Sequence, residues 1–83
     1  MPSMKQLQYL KKIVETGSYH LAAEQLFIAQ SALSRQIKNL EEELGFIIFD
    51  RSEKRIKLTP AGVFLYKSVK KHLDHFSHSI ELA

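Results

Sequence analysis

The chain has 83 residues, a formal net charge of +3 and a pI of about 9.3, which is the size of one small domain. It contains no cysteine, which excludes a disulfide framework and a thiolate metal site or nucleophile. No apolar run approaches the roughly 18 residues that a membrane-spanning helix needs, and no signal-peptide pattern opens the chain. We therefore expect a soluble cytoplasmic protein without a membrane partner, whose small core could gain burial from a second subunit.

The first predicted helix runs from Met4 to Thr16, and Gly17 ends it because glycine adopts the left-handed conformation cheaply. Its lysines lie off the apolar stripe, and nothing in it suggests chemistry. We expect this helix to serve core packing. The residues of its stripe, which recur with helical spacing, are Leu7, Leu10, Ile13 and Val14.

A second, shorter helix is predicted after Ser18, whose hydroxyl can cap it. The adjacent Ala22 and Ala23 are small enough to let another helix approach closely. The helix ends near Phe27, so that Ile28 and Ala29 leave only a short turn before the next helix, as in a helix-turn-helix. Its predicted apolar positions are Leu21, Ala22 and Leu26, with Phe27 as a further candidate.

The stretch from Ile28 to Leu44 predicts an amphipathic helix that ends at Gly45. Apolar residues fall on one stripe, and short polar side chains and two cations occupy a sector of roughly 140° away from it. Such side chains can hydrogen-bond base edges and neutralise phosphates in a major groove. The alternative is an ordinary solvated helix face. The stripe is Leu33, Ile37, Leu40 and Leu44, and the polar sector is Gln30, Ser31, Ser34, Arg35 and Lys38.

The end of this helix carries three carboxylates, Glu41, Glu42 and Glu43. Because they oppose the helix dipole, we expect them to add little to helix stability. They would also repel DNA. If the helix docks on DNA, it must therefore enter with its amino-terminal half, as recognition helices do.

A β-hairpin is predicted after Gly45. Residues 46–49 are β-branched or aromatic, residues 50–54 form a polar turn, and residues 55–58 alternate with a period of two. The hairpin is locally basic, as expected of a wing that lies on nucleic acid, although a small basic patch of this kind is also common in solvated turns. Within residues 51–57 the cations are Arg51, Lys54, Arg55 and Lys57, against the single carboxylate of Glu53.

The last predicted helix begins at Thr59-Pro60, with threonine as cap and proline at the first helical position, and runs to about Leu82. Its apolar spacing is close to a coiled-coil seam. The helix is too long to pack fully on so small a domain, which favours homodimerisation, with packing on its own domain as the alternative. The residues of the predicted dimer seam are Leu65, Val69, Leu73, Phe76 and Ile80, and Ala83 continues the spacing.

No constellation in the sequence predicts catalysis or a metal site. The histidines His72, His75 and His78 drift around the helix by roughly 60° per step, and no cysteine or well-placed glutamate completes a site. Ser31 and Ser34 have no evident base, and the three glycines form no phosphate loop. We expect neither an enzyme nor a cofactor in this segment.

The run from Ala22 to Gly45, followed by IFDRS and KLTPAG, resembles the amino-terminal domain of LysR-type transcriptional regulators. The resemblance covers essentially the whole chain. It implies a bacterial winged helix-turn-helix with a dimerising linker helix, followed in the family by an effector-binding domain that is absent here. A small-molecule effector would bind that domain.

The resemblance also implies residue roles. The leading positions of the central helix would contact bases and phosphates of DNA, and Lys38 would contact the phosphate backbone. The wing would add Arg51 and Arg55 as further DNA-binding residues. Two residues depart from the common pattern, namely Ala29 at the usual capping serine or threonine, and Ser31 where proline is frequent. Alanine removes a cap worth about 1 kcal/mol, so the helix could start a residue differently, or a phosphate could satisfy its free amides on binding. The implied DNA-binding residues are Gln30, Ser31, Ser34, Arg35, Lys38, Arg51, Lys54 and Arg55.

We therefore predict a mainly α fold, in which residues 1–59 form a winged helix-turn-helix with a three-helix core and a β-hairpin wing, and residues 60–83 form a linker and dimerisation helix. The expected function is sequence-specific binding of double-stranded DNA in transcriptional regulation, by a dimer on an interrupted inverted repeat. The central helix would read the major groove, and the wing would lie on phosphate or in the minor groove. The alternative is a protein-interaction winged helix with a polar docking face.

Overall fold

The computed structural model describes residues 2–52 and 55–82, with side chains to residue 75. Along the described chain, three helices are followed by a two-stranded antiparallel hairpin and a long fourth helix. This is the mainly helical winged helix-turn-helix that the sequence predicts. Lys54 and Ala83 lie outside the described residues. The elements are α1 (Met4–Thr16), α2 (Tyr19–Leu26), α3 (Gln30–Leu44), β1 (Phe49–Asp50), β2 (Lys57–Leu58) and α4 (Pro60–Leu82).

Local signals set the ends of the first two helices. The Ser3 hydroxyl accepts from the Gln6 amide at 3.1 Å while the Gln6 side chain accepts from the Ser3 amide at 3.0 Å, a reciprocal capping box at the start of α1. Gly17 ends α1 in the left-handed conformation. Ser18 caps α2 by accepting from the Leu21 amide at 3.1 Å, as its position predicted.

The core lies where α1, α2, α3, the base of the wing and the first part of α4 meet. The predicted stripes of α1 and α3 supply most of it, and the small side chains of Ala22 and Ala23 are buried between helices, as expected. Leu21 and Phe27 are exceptions, because both were predicted as apolar packing positions of α2 and both are exposed. The buried aliphatic and aromatic residues are Tyr9, Leu10, Ile13, Leu33, Ile37, Leu40, Ile48, Phe49, Val69 and Leu73.

The predicted strands are shorter in the structure. Residues 46–48 are not in a strand, and pairing is confined to Phe49 with Leu58 and Asp50 with Lys57. At the start of β1, the Ile48 and Phe49 amides donate to the carboxylate of Glu41 at 2.8 and 3.3 Å. Periodicity alone does not reveal which backbone amides a buried carboxylate accepts from.

The start of α4 is held against the base of the wing. The Thr59 hydroxyl accepts from the Gly62 amide at 3.0 Å and donates to the Ile47 carbonyl at 2.6 Å, while the Thr59 amide donates to the Ile48 carbonyl at 2.9 Å. A Cβ placed on Gly62 would clash with that Ile48 carbonyl. Glycine is therefore required here for close approach.

Farther along, α4 packs on α1. Val69 and Leu73 are buried in the domain core, and Leu65 is partly buried against it. At the rim of this contact, Lys11 of α1 lies 3.5 Å from Asp74 of α4. Among the described residues, no helix has both the length and the apolar character needed to cross a bilayer.

Candidate nucleic-acid interface

The predicted reading face of α3 is exposed along its whole length. All five of its polar residues are exposed, whereas the opposite stripe of Leu33, Ile37 and Leu40 is fully buried. The helix is therefore anchored by one face and free to present the other. The exposed residues are Gln30, Ser31, Ser34, Arg35 and Lys38.

The first turn of α3 lacks a side-chain cap. Ala29 has the extended conformation of an N-cap residue, and its carbonyl accepts from the Leu33 amide at 3.1 Å. Its methyl group, however, cannot accept from the first amides of the helix, as serine would. These amides and the positive end of the helix dipole therefore point towards any ligand group that contacts the amino-terminal end of α3.

The carboxylate of Glu41 organises the junction between α3 and the wing. Its side chain is only 4% exposed, and besides the two wing amides it binds the Arg51 guanidinium, with Nη1 3.2 Å from Oε1. This corrects the expectation that all three terminal glutamates do little for stability, because Glu41 points inward while Glu42 and Glu43 are exposed. Sequence reasoning missed Glu41, although its helical phase, one residue after buried Leu40, was a usable signal.

Arg51 is engaged within the domain as well as partly exposed. Its side chain is 47% exposed, and Nη2 donates to the Tyr19 hydroxyl at 3.4 Å. Burial lowers the pKa of Arg51, but Tyr19 and Glu41 outweigh this and raise the pKa overall. The guanidinium therefore stays charged and links α2, α3 and the wing.

Tyr19 is the third member of this cluster. Its ring meets Phe49 edge-on, with centroids 5.9 Å apart. Burial raises the pKa of the Tyr19 phenol above its ordinary value of 10.0, and this outweighs the lowering effect of the Arg51 charge. The phenol is thus held in its neutral form against the charged guanidinium.

The wing residue Arg55 is exposed and borders the same side of the domain as α3. It lines a shallow cleft together with His20 at the start of α2 and Gln30 at the start of α3. The fold thus brings a wing cation beside the amino-terminal end of the reading face. Lys57, in β2, is also exposed.

The structure accounts for part of the predicted dimer seam within one chain. Val69 and Leu73 are buried, and Leu65 is partly buried, against the domain itself. The side chains of Phe76 and Ile80 lie outside the described residues. The large apolar side chains that α4 leaves exposed in its described part are Val63 and Phe64, the latter 77% exposed.

Metal-ligand groups do not converge in the described part of the chain, where no cluster of three or more histidine, aspartate or glutamate residues could hold an ion. His72 and His75 are exposed on α4. The side chain of His78, the third member of the histidine series, lies outside the described residues.

Comparison with known proteins identifies close relatives of this domain. The chain is 40% identical over 79 residues to the HTH-type transcriptional regulator BenM of Acinetobacter baylyi, covering 95% of this chain and 26% of BenM. It is 42% identical over 71 residues to a probable RuBisCO transcriptional regulator of Cyanidioschyzon merolae, covering 86% of this chain and 23% of that protein. The chain thus spans about a quarter of the length of these relatives.

Solved structures agree with the fold. A crystal structure of a BenM DBD/benA site 1 DNA complex superposes with a TM-score of 0.91 at 40% identity, covering 96% of this chain and 90% of that chain. Full-length OxyR from Pseudomonas aeruginosa gives a TM-score of 0.86 at 32% identity, covering 96% of this chain and 27% of that chain. The family profile described as bacterial regulatory helix-turn-helix protein, lysR family, matches residues 4–63. The resemblance noted from the sequence is confirmed, and the chain belongs to the LysR family of bacterial regulatory helix-turn-helix proteins.

Proposed function

We propose that this chain binds double-stranded DNA sequence-specifically in transcriptional regulation, as a dimer on an interrupted inverted repeat. The observation that carries the proposal is the exposed polar and cationic face of α3, which lies away from the buried side chains of Leu33, Ile37 and Leu40. A related domain at 40% identity has been crystallised in a complex with DNA. This chain keeps the same fold.

In the proposed complex, the amino-terminal half of α3 enters the major groove. Gln30, Ser34 and Arg35 reach base edges, because amide, hydroxyl and guanidinium groups match the donor and acceptor patterns displayed there. Ser31, and Lys38 farther along the helix, meet the phosphate backbone. The uncapped amides after Ala29 face the same way, and a phosphate oxygen would accept from them.

The wing supplies the second contact in this proposal. Arg55 is exposed beside the start of α3 and would lie on phosphate or in the adjacent minor groove. Arg51 is already bound by Glu41 and Tyr19, so we assign it a contact only through its exposed edge. Lys54 remains a prediction at the wing tip.

Dimerisation is proposed to occur through α4. Since Val69 and Leu73 are occupied by the core of their own domain, the partner helix must meet other apolar groups. We propose Phe64 and Val63, with the predicted Phe76 and Ile80 farther along. A ring that is 77% exposed loses contact with water when a second copy covers it, which favours association.

The test is fluorescence anisotropy with a labelled duplex that the chain itself enriches from a randomised pool, beside a scrambled duplex of equal length. We expect tight binding to the enriched duplex alone, two chains per duplex, and an affinity that falls steeply with salt because phosphate contacts release counterions. Binding to neither duplex at low salt would contradict the proposal and favour a protein-interaction role.

A matched pair of variants tests the dimer. Phe64→Asp should shift the chain towards monomers in analytical ultracentrifugation and reduce the stoichiometry on the duplex. Met4→Asp is the control, since Met4 is also an exposed apolar residue but lies on α1. An unchanged dimer in Phe64→Asp would place the interface elsewhere.

A further inference from the structure

The turn between α2 and α3 contains an aromatic residue in an unusual state. Phe27 has φ 59° and ψ 41°, and within residues 2–52 and 55–82 it alone among non-glycine residues has positive φ. Its side chain is 93% exposed. Both features are unfavourable, because the left-handed region crowds a Cβ and an exposed phenyl ring faces water.

The fold needs the backbone of Phe27 but not its ring. The Phe27 amide donates to the Glu24 carbonyl at 3.2 Å and the Ile28 amide to the Ala23 carbonyl at 3.1 Å, which closes α2 in a left-handed cap. Glycine or asparagine would adopt this conformation more cheaply. The apolar contact that anchors the turn comes from Ile28, which packs on the core.

The position of Phe27 relates it to the reading face. It precedes Gln30, the first residue of α3, by three residues, at the same end from which the exposed polar face begins. When the amino-terminal half of α3 enters a major groove, the preceding turn lies at the edge of that groove. The surface there offers deoxyribose carbons and thymine methyl groups, to which apolar side chains bind.

We propose that Phe27 is a DNA-contacting residue whose ring covers an apolar sugar or thymine-methyl edge beside the base pairs read by α3. The proposal rests on the DNA-binding function proposed above. It explains why an exposed ring occupies a backbone position that suits smaller residues. The contact is apolar, so it adds affinity without neutralising a phosphate.

The experiment compares Phe27→Gly, Phe27→Asn and Phe27→Tyr with the wild type, by urea unfolding and by anisotropy on the enriched duplex. Phe27→Gly and Phe27→Asn should unfold at an equal or higher urea concentration, because the left-handed strain is relieved. Their dissociation constants should nevertheless rise about ten- to hundredfold, as expected for losing a buried ring. Phe27→Tyr keeps the ring and should bind within about threefold of wild type.

The salt dependence separates this contact from a charged one. The slope of affinity against salt should be the same for Phe27→Gly and wild type, since no phosphate contact is lost. Replacing individual thymines by uracil identifies the atom group touched. If a uracil duplex binds wild type more weakly than the thymine duplex but binds Phe27→Gly equally well, the ring contacts that thymine methyl group. If no uracil substitution weakens binding to wild type in this way, the ring contacts the sugar edge.

The outcomes distinguish this proposal from the general function. If wild type and Phe27→Gly bind the enriched duplex equally well, the proposed Phe27 contact is contradicted and the proposed DNA-binding function is not. If wild type binds no duplex, both fail. Lower unfolding midpoints in both Phe27→Gly and Phe27→Asn would show that the ring packs within the domain and would overturn the contact. Met4→Ala, an exposed apolar control on α1, should leave affinity unchanged.

Discussion

The carboxylate of Glu41 and the guanidinium of Arg51 form an ion pair at 3.2 Å across the junction of α3 and the wing. The pair is asymmetric, since the carboxylate is buried and the guanidinium is about half exposed. The buried partner also accepts from two backbone amides at the start of the wing. Glu41 thereby fixes where the hairpin leaves the domain, and hence where the wing lies relative to the reading face.

Glu41→Gln should lower the free energy of unfolding by about 1 to 3 kcal/mol, the usual cost of losing hydrogen bonds to a buried charge. Half-exposed Arg51 can turn to water, which limits the loss from the ion pair itself. Urea unfolding monitored by circular dichroism measures the change. Glu42→Gln, one residue along and exposed, is the control and should stay within about 0.5 kcal/mol. Equal effects of the two substitutions would contradict the role of Glu41.

Alkaline pH should weaken the fold through Tyr19. Because burial raises the pKa of this phenol above 10.0, the folded state holds the proton more tightly than the unfolded chain. The resulting stabilisation is fully present below pH 10 and is lost as pH rises through the folded-state pKa. Unfolding free energies of wild type and Tyr19→Phe, compared from pH 8 to pH 11, should show the steeper decline in wild type.

Absorbance of the tyrosinate ion gives an independent check. The difference between the titration curves of wild type and Tyr19→Phe isolates the Tyr19 phenol, and its midpoint should lie above that of N-acetyltyrosinamide. A midpoint at or below that reference would show that the guanidinium of Arg51 outweighs burial.

Gly62→Ala should destabilise the domain although alanine is the better helix former. Intrinsic propensity alone would stabilise α4 by about 1 kcal/mol. The added methyl group, however, would clash with the Ile48 carbonyl, and overpacking of this kind costs about 1 to 3 kcal/mol. Ser68→Ala, at an exposed position of the same helix, is the matched control and should be neutral or slightly stabilising. A stabilised Gly62→Ala variant would disprove the close approach.

Ala29→Ser should stabilise the start of α3, where no side-chain cap hydrogen bond is present. A serine hydroxyl at an N-cap contributes about 1 kcal/mol, and an increase of that size in the unfolding free energy is expected. Ala32→Ser introduces the same side chain three residues later, where it cannot occupy the N-cap and should give no comparable gain. A rise in the unfolding free energy for Ala29→Ser alone would show that the N-cap hydrogen bond was missing. Equal changes for the two variants would contradict this.

Arg35→Ala and Arg55→Ala should weaken DNA binding in different ways. Arg35→Ala should cost roughly 1 to 3 kcal/mol and relax the preference at one base pair, because a base contact is lost. Arg55→Ala should weaken binding to all sequences similarly and reduce the salt slope by about one, because a phosphate contact is lost. Anisotropy on the enriched duplex and its single-base variants distinguishes the two. Unchanged affinity and base preference in Arg35→Ala would mean that the reading face is assigned wrongly.

The helices were predictable because their determinants are local. Periodic apolar residues, together with the caps at Ser18, Gly45 and Thr59, place all four helices in the sequence nearly where the structure has them. The exposed face of α3 follows from the same periodicity, because residues that lie opposite a buried stripe face water. The neighbourhood of the wing was less predictable, since Glu41 and Arg51 are ten residues apart and meet only after the chain has turned.

The stripe of α4 shows a second limit of sequence reasoning. Spacing predicts that Val69 and Leu73 lie on one apolar face, but it does not reveal what covers that face. The structure places both in the core of their own domain. The prediction that Phe27 packs with the apolar positions of α2 was wrong for a related reason. Phe27 adopts the left-handed conformation at the end of α2, and its side chain is exposed.

The burial of Val69 and Leu73, together with the close approach of Gly62 to the Ile48 carbonyl, fixes the first part of α4 as a lever attached to the helix-turn-helix. From Pro60 to Leu73 this lever is about 20 Å long, at 1.5 Å per residue. In the proposed dimer, a tilt of about 10° about its far end would therefore displace the helix-turn-helix by roughly 3.5 Å, close to the rise of one base pair. In that dimer, the tilt of α4 would therefore also set which base pairs each subunit contacts.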